Sequence, residues 1–352
     1  MASKLNRFIV RRWAVQAVLD GKGSHLSKGL AEQFGVTRMS AARALKGLVG
    51  EGWLEASGGT RPTFRLGRNR FMIKTYPLPG VDEGFAWATD FAPVFDTLPK
   101  NIVAIAQHGF TELVNNANDH SEGTAVTVLM TAKDGVLMLL VMDNGIGIFE
   151  KIAKGLNLPD RRLAILELSK GKVTTDPSKH SGEGIFFTSR MFDQFQIEAN
   201  DLHYDHDVRD THDWLLEMQR PDTGTLLYMS LPLDCQRTTR EVFDTYSGGD
   251  DYGFDKTVVP VRLAKVGTEN LVSRSQAKRL VARFEGFRTV LLDFTDIDDV
   301  GQAFADEVFR VFALSHPKVE LIPISAVPAV QQMINRARMA HAIAAENVGN
   351  KT

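Results

Sequence analysis

The chain has a single cysteine, Cys235, among its 352 residues, which excludes an internal disulfide framework and any zinc site built from several thiolates. It also lacks a long apolar run. Crossing a bilayer as a helix takes roughly 20 apolar residues, and nothing here approaches that. The start, Met1-Ala-Ser-Lys-Leu-Asn-Arg7, leads into Arg11-Arg12 without the apolar core of a secretory leader. A cytoplasmic protein with no membrane partner is therefore expected. Repeats and low-complexity tracts are missing too.

A large net charge is also absent, but the formal value of -2 conceals a division. Residues 1–68 hold twelve Lys or Arg against four acids, a surplus of eight, so the remainder carries ten net negative charges. A basic segment on an acidic body points to a polyanionic partner for that segment alone. Its pattern agrees. Ile9, Trp13, Ala14, Ala17 and Val18 have helical spacing, Leu26 to Phe34 gives a second helix stopped by Gly35, and Thr37 is placed to cap a third from Arg38 to about Val49. Trp53 to Ala56, a Ser-Gly-Gly turn and Thr63 to Leu66 then predict a hairpin. Helix, turn, helix and basic hairpin in this order resemble a winged helix-turn-helix domain over about residues 7–68. The resemblance implies DNA as partner, with Arg38, Arg43 and Lys46 on or near a recognition helix and Arg61 and Arg65 on the wing. The alternative is a basic module that pairs with protein.

Residues 69–100, broken by Pro77, Pro79, Gly80, Pro93 and Pro99, read as a connector with a short helix around Glu83 to Phe91. From Asn101 a helix buries Ile102, Ile105, Ala106, Gly109, Leu113 and Ala117 on one stripe, and Glu112, Asn116 and His120 follow at four-residue steps on the next. Thr124 to Thr131 and Val136 to Met142 predict a hairpin around Asp134-Gly135, the second strand apolar enough to be covered on both faces. Asp143 ends that strand, where an unsatisfied carboxylate is costly. A helix over Arg161 to Ser169 precedes the polar stretch from Lys170 to Ser181, read as a lid, with Lys170, Lys172, Thr174 and His180 as its candidate contacts. Gly182-Glu-Gly184 opens the next helix, whose free amides suit phosphate.

Taken in order, Glu112 to His120, Asp143-Asn-Gly145-Ile-Gly147, Gly182-Glu-Gly184 and Gly224-Thr225 resemble the GHKL ATPase superfamily over about residues 85–233, closest to its anti-sigma-factor serine kinases. That resemblance implies a Bergerat α/β sandwich and Mg-ATP. It gives Asn116 to magnesium and nucleotide, Glu112 to general-base chemistry, His120 to the same helical face, and Asp143 to the adenine amino group with Thr225 in support. Gly145 and Gly147 would let backbone pass close to the nucleotide. Gly182 and Gly184 would do so at the phosphates, with Ile185 and Phe186 amides behind them and Lys172 nearby.

After a linker over residues 234–256, strands and helices alternate from 257 to the end, a small α/β layer. It resembles the STAS domains of anti-sigma-factor antagonists, in which a serine precedes the helix after the second strand. This chain has Asp298-Asp-Val-Gly301-Gln-Ala303 there, with Thr295 displaced, so docking or sensing is expected in place of phosphorylation. The expected whole is an α/β multidomain regulator: winged helix 1–68, connector 69–100, ATP-binding domain 101–233, linker 234–256 and STAS-like domain 257–352. In it, Mg-ATP controls DNA binding or partner docking. A serine/threonine kinase acting on a separate protein and an ATP-driven interaction module without DNA binding are the alternatives, and homodimerisation is left open.

Overall fold

Short polar residues set where helices begin. Asn6 accepts the N–H groups of Phe8 (3.0 Å) and Ile9 (3.3 Å) ahead of α1 (Arg7–Leu19). After α2 (Leu26–Phe34), Gly35 reverses the chain at φ 63°, and Thr37 accepts the Ser40 N–H at 3.2 Å to start α3 (Arg38–Gly50). Such caps satisfy amides that the helix itself leaves open. β1 (Leu54–Ser57) and β2 (Thr63–Leu66) pair antiparallel as expected. Val10, Ala14, Leu26, Leu30, Leu45 and Phe64 share one buried cluster, so three helices and a hairpin close on a common core. Ile9, placed on the inner face by its spacing, is instead 49% exposed.

The structure, a computed structural model, describes residues 5–173, 182–208, 214–217, 223–248, 253–266 and 269–349. Thr174 and His180, expected in a lid, lie outside them. The next element is β3 (Arg70–Pro77), inside the stretch expected to be a connector. It pairs antiparallel with β4 (Ala125–Lys133) from Arg70 opposite Ala132 to Pro77 opposite Ala125, with proline only at its last position. α4 (Glu83–Ala86), a π-helical segment over Trp87–Phe91 and α5 (Ala92–Phe95) bury Trp87, Phe91 and Phe95. α6 (Lys100–His120) buries the expected stripe, and Phe110 meets Phe91 with ring centroids 4.8 Å apart. β5 (Val136–Asp143) pairs with β4. It is covered chiefly on one face: Leu137, Leu139 and Val141 are buried whereas Val136 and Met142 are exposed, so its unbroken apolar run overstated its cover.

In chain order there follow α7 (Ile148–Gly155), α8 (Leu163–Lys170), α9 (Gly184–Met191), β6 (Gln194–Ala199), β7 (Leu202–Asp207), β8 (Trp214–Glu217), β9 (Thr225–Pro232) and α10 (Thr239–Tyr246). Then come β10 (Lys256–Pro260), α11 (Arg274–Val281), β11 (Thr289–Asp293), α12 (Gln302–Asp306), α13 (Ala313–Ser315), β12 (Glu320–Ile324) and α14 (Pro328–Gly349). The chain is thus an α/β multidomain protein.

Contacts group it into two units. The first holds Met1–Gly147, Phe192–Ala199 and Arg220–Thr238. Its strands run β3-β4-β5-β9-β6, all antiparallel, with α6 packed on β5. Gly109 of α6 is needed there, since a Cβ would sit 2.9 Å from the Phe192 ring. The second unit holds Ile148–Met191, Asn200–Gln219 and Thr239–Thr352. It contains the β7–β8 ladder and a parallel sheet β10-β11-β12. α10 interrupts the expected linker because Val242 is buried and Phe243 packs on Phe187 at 4.5 Å. The sequence reads as a strand over Val258 to Val266, but β10 stops at Pro260, which has no N–H to extend a ladder, and a 3-10 turn over Val261–Ala264 follows.

Candidate functional site

In the first unit, the end of β5 is built around the Asp143 carboxylate. Its Oδ1 accepts the Gly145 N–H at 2.8 Å and the Thr225 N–H at 3.2 Å, and the Thr225 side chain bonds it as well. Burial pushes this carboxyl above its ordinary value, while these three hydrogen bonds pull it back. A carboxylate has about four lone-pair directions, so the named donors leave capacity for one more. Two glycines make the geometry possible: a side chain at Gly224 would collide with the Asp143 carbonyl, and one at Gly145 with the Ser121 carbonyl. Gly147 holds φ 86°, a conformation that disfavours any side chain.

The end of α6 is tied to the same turn. Ile146 N–H donates to the Ser121 carbonyl at 2.9 Å, and Asn144 Oδ1 accepts the N–H groups of Thr124 (2.8 Å) and Ala125 (3.0 Å). Glu112, Asn116 and His120, on successive turns of α6, are each half-buried. Asn118, between them in sequence, points elsewhere and accepts the Gly80 N–H at 2.7 Å. Glu112, Asn116, His120, Asp143, Gly145, Gly147 and Thr225 all belong to this one unit.

Lys172, Gly182, Gly184, Ile185 and Phe186 belong to the second. There the Val173 N–H donates to the Gly182 carbonyl at 3.0 Å, and Gly182 takes φ 71° with its missing Cβ facing Val173. α9 opens at Gly184, as expected. The Phe186 side chain is buried against Phe254 (4.6 Å) and Tyr246 (5.0 Å), so any ligand contact at this position falls to its amide. Lys172 Nζ donates to the Gly286 carbonyl at 2.8 Å.

Lys170, read as a lid residue, closes α8 fully buried and bonded to Glu167 at 2.7 Å, with Arg283 on the other oxygen of Glu167 at 2.8 Å. Sequence reasoning missed this cluster. A carboxylate and an amine three apart in the Leu163–Lys170 run, apolar otherwise except for Ser169, were the available signal.

At the N-terminal module, Arg38, Arg43, Lys46, Arg61 and Arg65 are all exposed, and among the described residues none is in an ion pair. Arg11 is different. Its guanidinium lies 4.4 Å from the Trp53 ring centre and 4.2 Å from that of Phe71, and burial lowers its pKa.

The C-terminal layer is STAS-like: a family model described as a STAS-like domain of unknown function (DUF4325) matches residues 276–331. No curated protein matches the sequence. Among solved structures, one described as an IcIR transcriptional regulator from Alicyclobacillus acidocaldarius aligns at 14% identity over 68% of this chain and 93% of that chain, with a TM-score of 0.19. A likeness at that score carries no functional argument. No described helix is long and apolar enough to cross a membrane, and no group of three or more His, Cys, Asp or Glu among the described residues could hold a metal ion.

Proposed function

We propose that the chain is an ATP-binding regulatory protein in which Mg-ATP at the first unit's site controls DNA binding by the N-terminal module or docking of a protein partner. The observation that carries the reading is Asp143: a half-buried carboxylate at a strand end, held by two backbone N–H groups beside glycines that leave room, with capacity for one further donor. An exocyclic adenine amine is such a donor. Asn116, half-buried one turn beyond Glu112, offers an amide oxygen of the kind magnesium takes. A single neutral oxygen is a weak metal site by itself. Magnesium would arrive with the phosphates, and its charge would offset theirs. Gly182, Gly184, Ile185 and Phe186 enter as phosphate contacts through the sequence resemblance alone.

The test is titration of the purified chain with ATP in magnesium. Asp143→Asn keeps the size of the side chain but turns one acceptor oxygen into a donor, so it should weaken ATP at least about 10-fold, the cost of a lost charged hydrogen bond, and leave the circular dichroism spectrum intact. Asn116→Ala should remove the magnesium dependence. Unchanged affinity in Asp143→Asn would reject the site. A second reading, a serine/threonine kinase acting on a separate protein, is favoured by Glu112 on the same helical face as Asn116. Phosphate transferred to a partner protein, and lost in Glu112→Ala, would establish it over simple hydrolysis.

A further inference from the structure

Lys170 and Lys172 are bonded to the C-terminal domain within the second unit. Lys170 Nζ donates to Glu167 Oε1 at 2.7 Å and to the carbonyls of Arg279 (2.8 Å) and Ala282 (3.1 Å), which close α11. Arg283 follows with φ 65°, a backbone conformation costly for a residue with a side chain. Its bonds offset that cost: Nε to Glu167 Oε2 at 2.8 Å, and a second nitrogen to the Lys172 carbonyl at 3.1 Å. The Thr257 hydroxyl, fully buried, donates to the Lys170 carbonyl at 2.8 Å. In α9, Phe186 and Phe187 pack on Phe254, which itself meets Phe287 at 5.2 Å.

Lys172 is the residue this arrangement affects most. Its ammonium donates to the Gly286 carbonyl and stands 4.8 Å from the Phe287 ring centre and 5.4 Å from that of Phe254. An ammonium held by a carbonyl and two aromatic faces has its charge already partnered. Arg283, Gly286 and Phe287 all lie in the STAS-like match, residues 276–331. Lys172, which the resemblance places near the phosphates, is therefore held by the STAS-like domain.

We propose that the STAS-like domain is an intramolecular inhibitor of nucleotide binding: docked as here, it engages Lys172, and breaking the Glu167–Arg283 pair releases that lysine to phosphate. The inference rests on the nucleotide reading above. It also assigns the domain a role that needs no phosphoacceptor.

Two readouts on the full-length chain test it. Hydrogen exchange over residues 168–173 and 184–187 reports docking without reference to ATP, and calorimetric titration with Mg-ATP reports affinity. Arg283→Ala removes the partner of Glu167; Arg283→Glu, which sets like charges together, is the stronger variant should alanine leave the contact closed. We expect faster exchange and ATP affinity raised about 10-fold, within the usual span of coupling between sites. Adding Lys172→Ala should cancel the gain while leaving exchange fast. Faster exchange with unchanged or weaker affinity would overturn the inhibitor role and leave the nucleotide site standing, as would a gain that survives Lys172→Ala. Slow exchange in both Arg283 variants would remove Arg283 as the latch. Fast exchange with no ATP binding by either wild type or variant would reject the nucleotide reading, and this inference with it.

Discussion

Lys170 is the residue at which burial and charge conflict most openly. Its ammonium has no exposed surface, and burial holds its pKa down at about 8 from an ordinary 10.5, with Glu167 opposing the fall. Between those two values the unfolded chain binds the proton more readily than the native one, so this group makes stability rise with pH from about 8 to about 10.5, by about 3 kcal/mol at most. An exposed lysine pair would behave the opposite way, losing its attraction as the amine deprotonates. Lys170→Met fills the space and leaves Glu167 with Arg283, but it strands the Arg279 and Ala282 carbonyls, so it should cost about 1–3 kcal/mol at neutral pH. The measurement is the denaturant midpoint of both proteins at about pH 7.5 and about pH 10, on either side of the shifted value. Wild type should gain on the variant as pH rises; a fall would mean that attraction to Glu167 outweighs the cost of burial.

At the scale of elements, Gly109 in the middle of α6 sets two known effects against each other. Replacing it with alanine favours the helix by roughly 0.5–1 kcal/mol. The new Cβ, however, would meet the fully buried Phe192 ring at 2.9 Å, and overpacking costs about 1–3 kcal/mol. Gly109→Ala should thus lower stability by about 1 kcal/mol net, read as a lower thermal midpoint without a weaker helical signal. Elements with a strong local signature were legible in the sequence. The stripe of α6, the cap at Thr37, and Asp143 at the end of β5 all follow from spacing and from the cost of burying charge. β3 was not legible, because Lys74, Thr75, Pro77 and Pro79 hide a strand that exists through its pairing with β4. α10 is two turns long, and only the packing of Phe243 on Phe187, far away in sequence, shows which face is inward. Lys170 is harder still, since its carbonyl partner in Arg279 lies 109 residues on and nothing local announces it.

At the scale of the whole molecule, charge is divided by region. Residues 1–68 carry the excess of eight positive charges while the rest is acidic, and Arg38, Arg43, Lys46, Arg61 and Arg65 keep theirs exposed and outside ion pairs among the described residues. If this face meets DNA, affinity must fall with salt in proportion to the phosphates it neutralises. Arg43→Ala with Lys46→Ala should then reduce the slope of log affinity against log salt by about 1 for each phosphate no longer neutralised. A slope that does not change would assign these side chains to base edges or to a protein partner. The regulatory reading demands more than DNA binding, because a ligand shifts an equilibrium only by its differential affinity for the two states. DNA affinity should therefore differ between the apo and Mg-ATP forms at one fixed salt concentration, and by reciprocity DNA should change ATP affinity by the same factor. Asp143→Asn should abolish both changes while leaving apo DNA binding as it was. Superimposable binding curves with and without ATP would separate the two activities and leave an ATP site and a basic module that share a chain without coupling.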